Sequence, residues 1–204
     1  KWFNSGQTYY EYYQMPQYIY DNWWCAWNVS NQTYSAAARF ALEKGFDTVI
    51  DVGGSIFAAE LFRDMSGGQL ECYNIDNFRH TLNASFAYYY NMSHHYGHLI
   101  DAWGPCNGLF SEMLIMAEYL EHFYDVDEEF TRWTRYDNMV IANGFCVTAY
   151  GHYVPIKING VEHTTRASAD AAFLGIAQNA GYTVSKVPYV TKDVLILERK
   201  KNGS

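Results

Sequence analysis

Two acids and a pair of glycines have the clearest chemical purpose in this chain. Asp47-Thr-Val-Ile-Asp-Val-Gly-Gly-Ser55 sets a carboxylate, Asp51, just before the turn Gly53-Gly54-Ser55. Leu70-Glu-Cys-Tyr-Asn-Ile-Asp76 then ends on a second carboxylate, about twenty residues beyond that turn. Glycine and serine let a backbone pass close to a ligand and bend into a helix. An acid closing the next strand can accept both hydroxyls of an adenosine ribose. Together they predict a site for an adenosine-containing cofactor.

The residues missing from the turn narrow the choice. A dinucleotide fingerprint requires G-x-G-x-x-G, and counting from Gly53 the second and third positions hold Ser55 and Ala58. No Walker lysine follows. Asp51 would repel phosphates and suits an amino group instead.

These residues need strands to carry them, and the hydrophobic pattern supplies an alternating series. It predicts a helix from about Ser35 to Lys44 stopped by Gly45, a strand to Gly53, a helix from Ile56 to Met65, a strand to Asp76 and a helix from about Phe78 to Tyr90. A third strand, His98 to Trp103, is closed by Gly104-Pro105 and followed by a predicted helix from about Leu109 to Phe123. Glu112, Glu118 and Glu121 would share the exposed face of that helix. The acidic segment Asp125 to Glu129 leads to a fourth strand, Asn138 to Ala142, ending at Asn143-Gly144. Tyr153 to His163 reads as a hairpin turning at Asn159-Gly160. A helix over about Ala167 to Ala180 precedes two closing strands, Tyr182 to Val187 and Val194 to Glu198.

Over about residues 35–199 the opening motif and the closing strand pair resemble the class I S-adenosylmethionine (SAM) methyltransferases. Asp51, Gly53, Gly54 and Asp76 match that family's first two motifs position for position, while Phe57 stands where its commonest third glycine would fall. The resemblance implies an α/β, Rossmann-like sheet, mostly parallel with an antiparallel C-terminal strand and helices on both faces. It implies SAM as cofactor, held by Asp51, Gly53, Gly54, Ser55, Asp76, Asn77, Asp101 and Trp103, with Asp101 on the adenine amino group. The chain between Asn143 and Tyr153 is too short for a crossover helix, so one family helix is expected to be missing.

The acceptor is read by elimination. Asn143-Gly-Phe145 is not the Asn/Asp-Pro-Pro-aromatic motif of exocyclic-amine enzymes. The Pro-Cys dipeptide at Cys106 follows the third strand rather than the fourth. Lys44, Asp137, Lys157 and Glu198 do not sit where a ribose-methylating tetrad would. A nitrogen that is already nucleophilic needs no general base, only placement, and guanine-N7 of an RNA cap is such an atom. Asp76-Asn-Phe-Arg79 is similar to the Asp-x-x-Arg signature of alphavirus-like capping methyltransferases, which implies capped RNA or a cap nucleotide as partner. Arg79, Asn143, Phe145 and Tyr150 are the expected substrate contacts, with no catalytic base. Two alternatives stay open: a small-molecule methyltransferase, and a noncatalytic Rossmann-like domain of a larger polyprotein.

Composition frames these expectations. A net charge of −8 argues against a broad nucleic-acid-binding surface. Aromatic residues make up 18% of the chain, and Tyr9, Tyr10, Tyr12, Tyr13, Trp23, Trp24 and Trp27 crowd the start. Residues 1–32 are therefore read as an aromatic arm or lid, 33–199 as the methyltransferase domain and 200–204 as a tail. Four cysteines without CxxC spacing read as free thiols, and His94-His95-x-x-His98 as a solvated loop rather than a metal site. The sequons at Asn28, Asn31, Asn83 and Asn91 read as chance. No apolar run approaches membrane-spanning length. The expected place is the cytoplasm, that of a host for a viral protein, and Lys1 at the start fits a piece of a viral polyprotein.

Overall fold

The computed structural model describes residues 32–53, 62, 65–76, 97–101, 112–148, 152–188 and 193–200. Helix α1 covers residues 32–44 and ends at Gly45, whose φ of +70° reverses the chain. Strands β1 (Thr48–Val52), β2 (Glu71–Asp76), β3 (Gly97–Asp101) and β4 (Met113–Ala117) follow. A 3-10 turn (Leu120–His122) leads into helix α2 (Val126–Trp133) and strand β5 (Asn138–Ala142). Strands β6 (Ile156–Ile158) and β7 (Val161–His163) form a separate hairpin. Helix α3 (Arg166–Asn179) precedes β8 (Tyr182–Lys186) and β9 (Val194–Arg199).

Seven strands form one sheet in the order β3-β2-β1-β4-β5-β9-β8. The first five are parallel, and β9 runs antiparallel between β5 and β8. The expected fold, a mostly parallel sheet with an antiparallel last strand and helices on both faces, is what the chain adopts. Side chains alternate between two cores. Val49, Cys72, Ile115 and Val140 join α1 residues Ala37, Phe40 and Ala41 on one face. Ile50, Leu114, Met116 and Ile141 join Phe130 and Trp133 of α2 and Phe173 of α3 on the other.

The predicted helix over Leu109–Phe123 is wrong where it can be checked, because its middle is β4. Met113, Leu114, Ile115, Met116 and Ala117 are all buried. Such an unbroken apolar run has no period to read, and Met, Leu and Ala favour helix when isolated. A parallel strand covered on both faces takes this composition, and pairing with β1 and β5 decides the outcome. The helix that follows is displaced to α2, inside the acidic segment read as a connection. Asp125 caps it, accepting the Glu128 N–H at 3.1 Å, with Asp127, Glu128 and Glu129 in its first turn. With β4 in place no crossover between β4 and β8 lacks a helix, correcting that expectation. Helix α2 links β4 to β5, and α3, after the hairpin, links β5 to β8.

Glu112 is not on a helix face either. Its carboxylate accepts the N–H of Asp47 at 2.6 Å and of Thr48 at 3.2 Å, tying the start of β1 to β4. The hairpin turns where expected, with φ of +53° at Asn159 and +73° at Gly160, the pair of positive values a type I′ turn requires. Of the expected arm, residues 1–32, residues 1–31 lie outside the described residues and residue 32 begins α1; residues 201–204 also lie outside. Among the described residues no helix is long and apolar enough to cross a membrane.

At the opposite end of the strands from Gly53, Arg199 ties β9 to its surroundings. Its guanidinium donates to Asp137 at 2.7 Å, to the Ala180 carbonyl at 3.1 Å, to the Tyr182 hydroxyl at 2.9 Å and to the Thr134 carbonyl. The Tyr182 hydroxyl in turn donates to the Tyr136 carbonyl. Burial pushes its pKa from the ordinary 10.0 up to about 12, against the lowering effect of Arg199. The unfolded chain ionises first, so this contribution to stability is full below about 10 and lost as pH rises toward about 12. Tyr182→Phe is expected to cost about 1–3 kcal/mol in urea unfolding at neutral pH. It should also flatten the alkaline fall in stability; an unchanged alkaline slope would show that Tyr182 is not its source.

Candidate functional site

The parallel strands bring their carboxyl ends to one edge. There β1 runs into Gly53, β2 ends at Asp76, β3 at Asp101, β4 at Ala117 and β5 at Ala142. Val52 pairs with Ile75 and Asp76 with Asp101, so Gly53, Asp76 and Asp101 stand level across three adjacent strands. The order also changes direction here. From β1 the chain moves outward through β2 and β3, then returns to β4 on the other side of β1. Open α/β sheets bind ligands in the crevice at such a switch point.

Gly53 is held by two independent constraints. Its φ is +65°, where side-chain-bearing residues are strained. A Cβ there would also lie 2.4 Å from Cδ2 of Tyr119, in the segment after β4. The Tyr119 ring is fixed in turn. Its hydroxyl donates to Glu129 Oε1 at 2.8 Å, the Trp133 Nε1–H donates to the same oxygen at 3.0 Å, and Phe123 lies 5.0 Å away between ring centroids. Glu129 is only 4% exposed, so its carboxylate is a buried anchor joining α2 to the crevice.

Asp51, two residues before Gly53, is fully buried on the α1 face of the sheet. The Cys72 thiol is pushed well above its ordinary range, first by burial and then by the Asp51 charge. The reactive thiolate form is therefore suppressed at Cys72. Cys72 and Cys146 are free, as expected; the other two cysteines lie outside the described residues.

A second cluster joins the ends of β4 and β5. Glu118, at φ +56°, donates its N–H to the Ala142 carbonyl at 2.7 Å. Glu121, expected on an exposed helical face, is completely buried, and its Oε1 accepts the Gly144 N–H at 2.9 Å. A Cβ at Gly144 would meet that oxygen at 2.8 Å. His122 and His152 stack edge to face at 4.8 Å. Among the described residues no group of three or more His, Cys, Asp or Glu is placed to hold a metal ion. His94 and His95 lie outside those residues, and His98 is on β3.

Two expected substrate residues can be placed. Asn143 follows β5 and is 8% exposed. Its carbonyl accepts Arg166 Nη2 at 3.3 Å, and its side-chain Oδ1 has no hydrogen-bond partner. Phe145 is fully buried and packs 5.8 Å from Phe173. Its ring therefore fills the core and presents no open face to a base. Gly54, Ser55, Asn77, Arg79, Trp103 and Tyr150 lie outside the described residues. Tyr119, Glu121 and Glu129 were not among the expected site residues. Reading residues 113–117 as a strand would have placed Glu118 to His122 at the carboxyl end of a central strand, where ligand contacts gather.

No protein-family model matches this chain, and no curated protein sequence does either. Solved structures do. The methyltransferase domain of bacterial CtHen1 superposes with a TM-score of 0.59 at 11% identity, over 83% of this chain and 99% of that one. An O-methyltransferase family protein from Burkholderia thailandensis gives 0.57 at 16% identity, over 85% of this chain and 57% of that one. Magnesium protoporphyrin IX methyltransferase (ChlM) from Synechocystis PCC 6803, with bound SAH, gives 0.56 at 11% identity over 83% of each. The chain has the Rossmann-like fold of these methyltransferases.

The Gly53–Tyr119 contact is open to direct measurement. Gly53→Ala is expected to destabilise the chain by roughly 1–3 kcal/mol, and Tyr119→Ala in that background should recover part of the loss. Urea unfolding of both single variants and the pair forms a double-mutant cycle. Strictly additive effects would mean the ring does not press on the turn.

Proposed function

We propose that this chain is a SAM-dependent methyltransferase with its cofactor at the switch point between β1 and β4. The observation that carries this reading is the alignment of Gly53, which only glycine can occupy, with the strand-end acids Asp76 and Asp101 on a methyltransferase-type sheet. In this reading the backbone after β1 passes under the cofactor, Asp76 accepts the ribose hydroxyls and Asp101 the adenine amino group. Asp51 is buried behind the turn and acts on it from below. SAM supplies an electrophilic methyl on a sulfonium. The chain's contribution is to bind it, orient it and bring an acceptor into line from the β4–β5 side.

For the acceptor, a small molecule is the better supported reading. Among the described residues, the charged side chains of the space beside β5 are already ion-paired, and the chain carries a net charge of −8. Neither feature suits the triphosphate of an RNA cap. Guanine-N7 of a cap is kept as the second reading because Asp76-Asn-Phe-Arg79 favours it. It would require no general base.

Two measurements test the proposal. Asp76→Ala should weaken SAM binding by roughly 1.5–3 kcal/mol in calorimetry, through loss of charge-assisted hydrogen bonds; an unchanged affinity removes the cofactor assignment. Methyl transfer from labelled SAM is then compared across small hydroxylated and nitrogenous acceptors, GpppA-capped RNA and RNA already methylated at guanine-N7. Incorporation into small acceptors supports the first reading. Incorporation confined to the unmethylated cap supports the second.

A further inference from the structure

Groups that could meet a cofactor stand in strand order along the carboxyl edge of the sheet. Asp101 ends β3, Asp76 ends β2 and Gly53 follows β1; the next strand on that line is β4. Asp51 pairs with Ile115, so β4 reaches its last residue, Ala117, level with Gly53. The chain then turns at Glu118, whose φ is +56°. Tyr119 comes next, and its ring lies against the Gly53 turn, where an added Cβ would sit 3.0 Å from Cε2.

SAM carries its groups in a matching order: adenine, ribose, then the sulfonium. With adenine at Asp101 and ribose at Asp76, the sulfonium falls beyond Asp76 in the direction of β1 and β4, at about 5 Å for each strand crossed. Tyr119 occupies that side of Gly53. Its hydroxyl donates to Glu129 Oε1 at 2.8 Å, and the same oxygen accepts the Trp133 Nε1–H at 3.0 Å, so the ring is tethered at its far end. A phenol that donates its hydrogen bond gains electron density in the ring, which makes the negative face stronger. Phe123 packs at 57° to it, and Tyr119 as a whole stays only partly buried, so surface remains for a ligand to meet.

We infer that the Tyr119 ring is the sulfonium contact of this site and gives it a preference for cationic SAM over neutral SAH. The inference rests on the methyltransferase reading and names the residue by which that site tells cofactor from spent product. A sulfonium has no N–H or O–H to donate, so the face of an aromatic ring complements it well. In the transfer, a lone pair of the acceptor bonds to the methyl carbon while the carbon–sulfur bond breaks and its electron pair returns to sulfur. The acceptor then sheds its proton to water. Sulfur is left as an uncharged thioether, the attraction to the ring ends, and SAH gives way to fresh SAM.

The test is calorimetric titration of the full chain with SAM and with SAH, read as the ratio of the two affinities. A change in fold or pocket shape moves both affinities together; loss of a cation contact moves only the first. Tyr119→Leu should lower the ratio about fivefold, and Tyr119→Phe should keep most of it. Pentafluorophenylalanine in place of Tyr119 keeps the ring's shape but reverses the polarity of its face, and should lose as much as Tyr119→Leu. An unchanged ratio in the fluorinated variant, or a loss in Tyr119→Phe as large as in Tyr119→Leu, overturns the inference. If circular dichroism shows Tyr119→Leu unfolded, the comparison of Tyr119→Phe with the fluorinated ring decides alone. Failure of the unsubstituted chain to bind either SAM or SAH overturns the cofactor assignment itself, and the role of Tyr119 with it.

Discussion

The molecule depends on β4 being dry on both faces. Its five side chains alternate between two cores, Met113, Ile115 and Ala117 toward α1 and Leu114 and Met116 toward α2 and α3. Burying each of its large side chains is worth roughly 1.5–3 kcal/mol before chain entropy is subtracted. That gain is available only if both helical layers are present, so β4 forces a three-layer architecture. Its hydrogen bonds to β1 on one side and β5 on the other also join the halves of the sheet. The crevice at the switch point exists because this strand lies between them.

Polar groups are distributed around that apolar centre with opposite consequences at the two edges. At the amino edge, Glu112 and Arg199 hold strand starts and helix ends together through several hydrogen bonds each. At the carboxyl edge, carboxylates are carried inside: Glu129 under Tyr119, Glu121 against Gly144, Asp51 beneath the β1 turn. The first arrangement is ordinary strand fastening. The second sets buried carboxyl groups directly behind the turn and loops that border the crevice. The fold alone does not distinguish one chemistry from another.

The sequence shows elements clearly where glycine or Asn-Gly marks their ends. Gly45 closes α1, Gly53 closes β1, Asn159-Gly160 turns the small hairpin and Gly181 separates α3 from β8, and each of these boundaries is found within a few residues of its expected place. Residues 109–123 carry no such mark near Met113, so period and propensity both favoured a helix. Only pairing with β1 and β5, invisible along the chain, makes the segment a strand. The same blindness hid Tyr119, Glu121 and Glu129, whose positions follow from where β4 stops. Phe145 failed in the reverse direction. Its place after β5 was legible, but its burial against Phe173 depends on α3, brought there from more than twenty residues downstream. The turn at Gly53 was readable because the glycine that makes it is local to one short segment.

The contact between Gly53 and the Tyr119 ring leaves no slack. A ring that would collide with a single added carbon cannot stay still while the turn beneath it moves, and the ring is tethered through Glu129 to Trp133 near the far end of α2. Turn, ring and helix are therefore joined by one unbroken chain of contacts. If a ligand on the β1 side displaced the turn, that chain of contacts would carry the strain toward the β4–β5 side, and linkage would make the influence equal in both directions. Cofactor and acceptor would then not be independent guests: each would alter the other's affinity by one common factor, whichever arrives first.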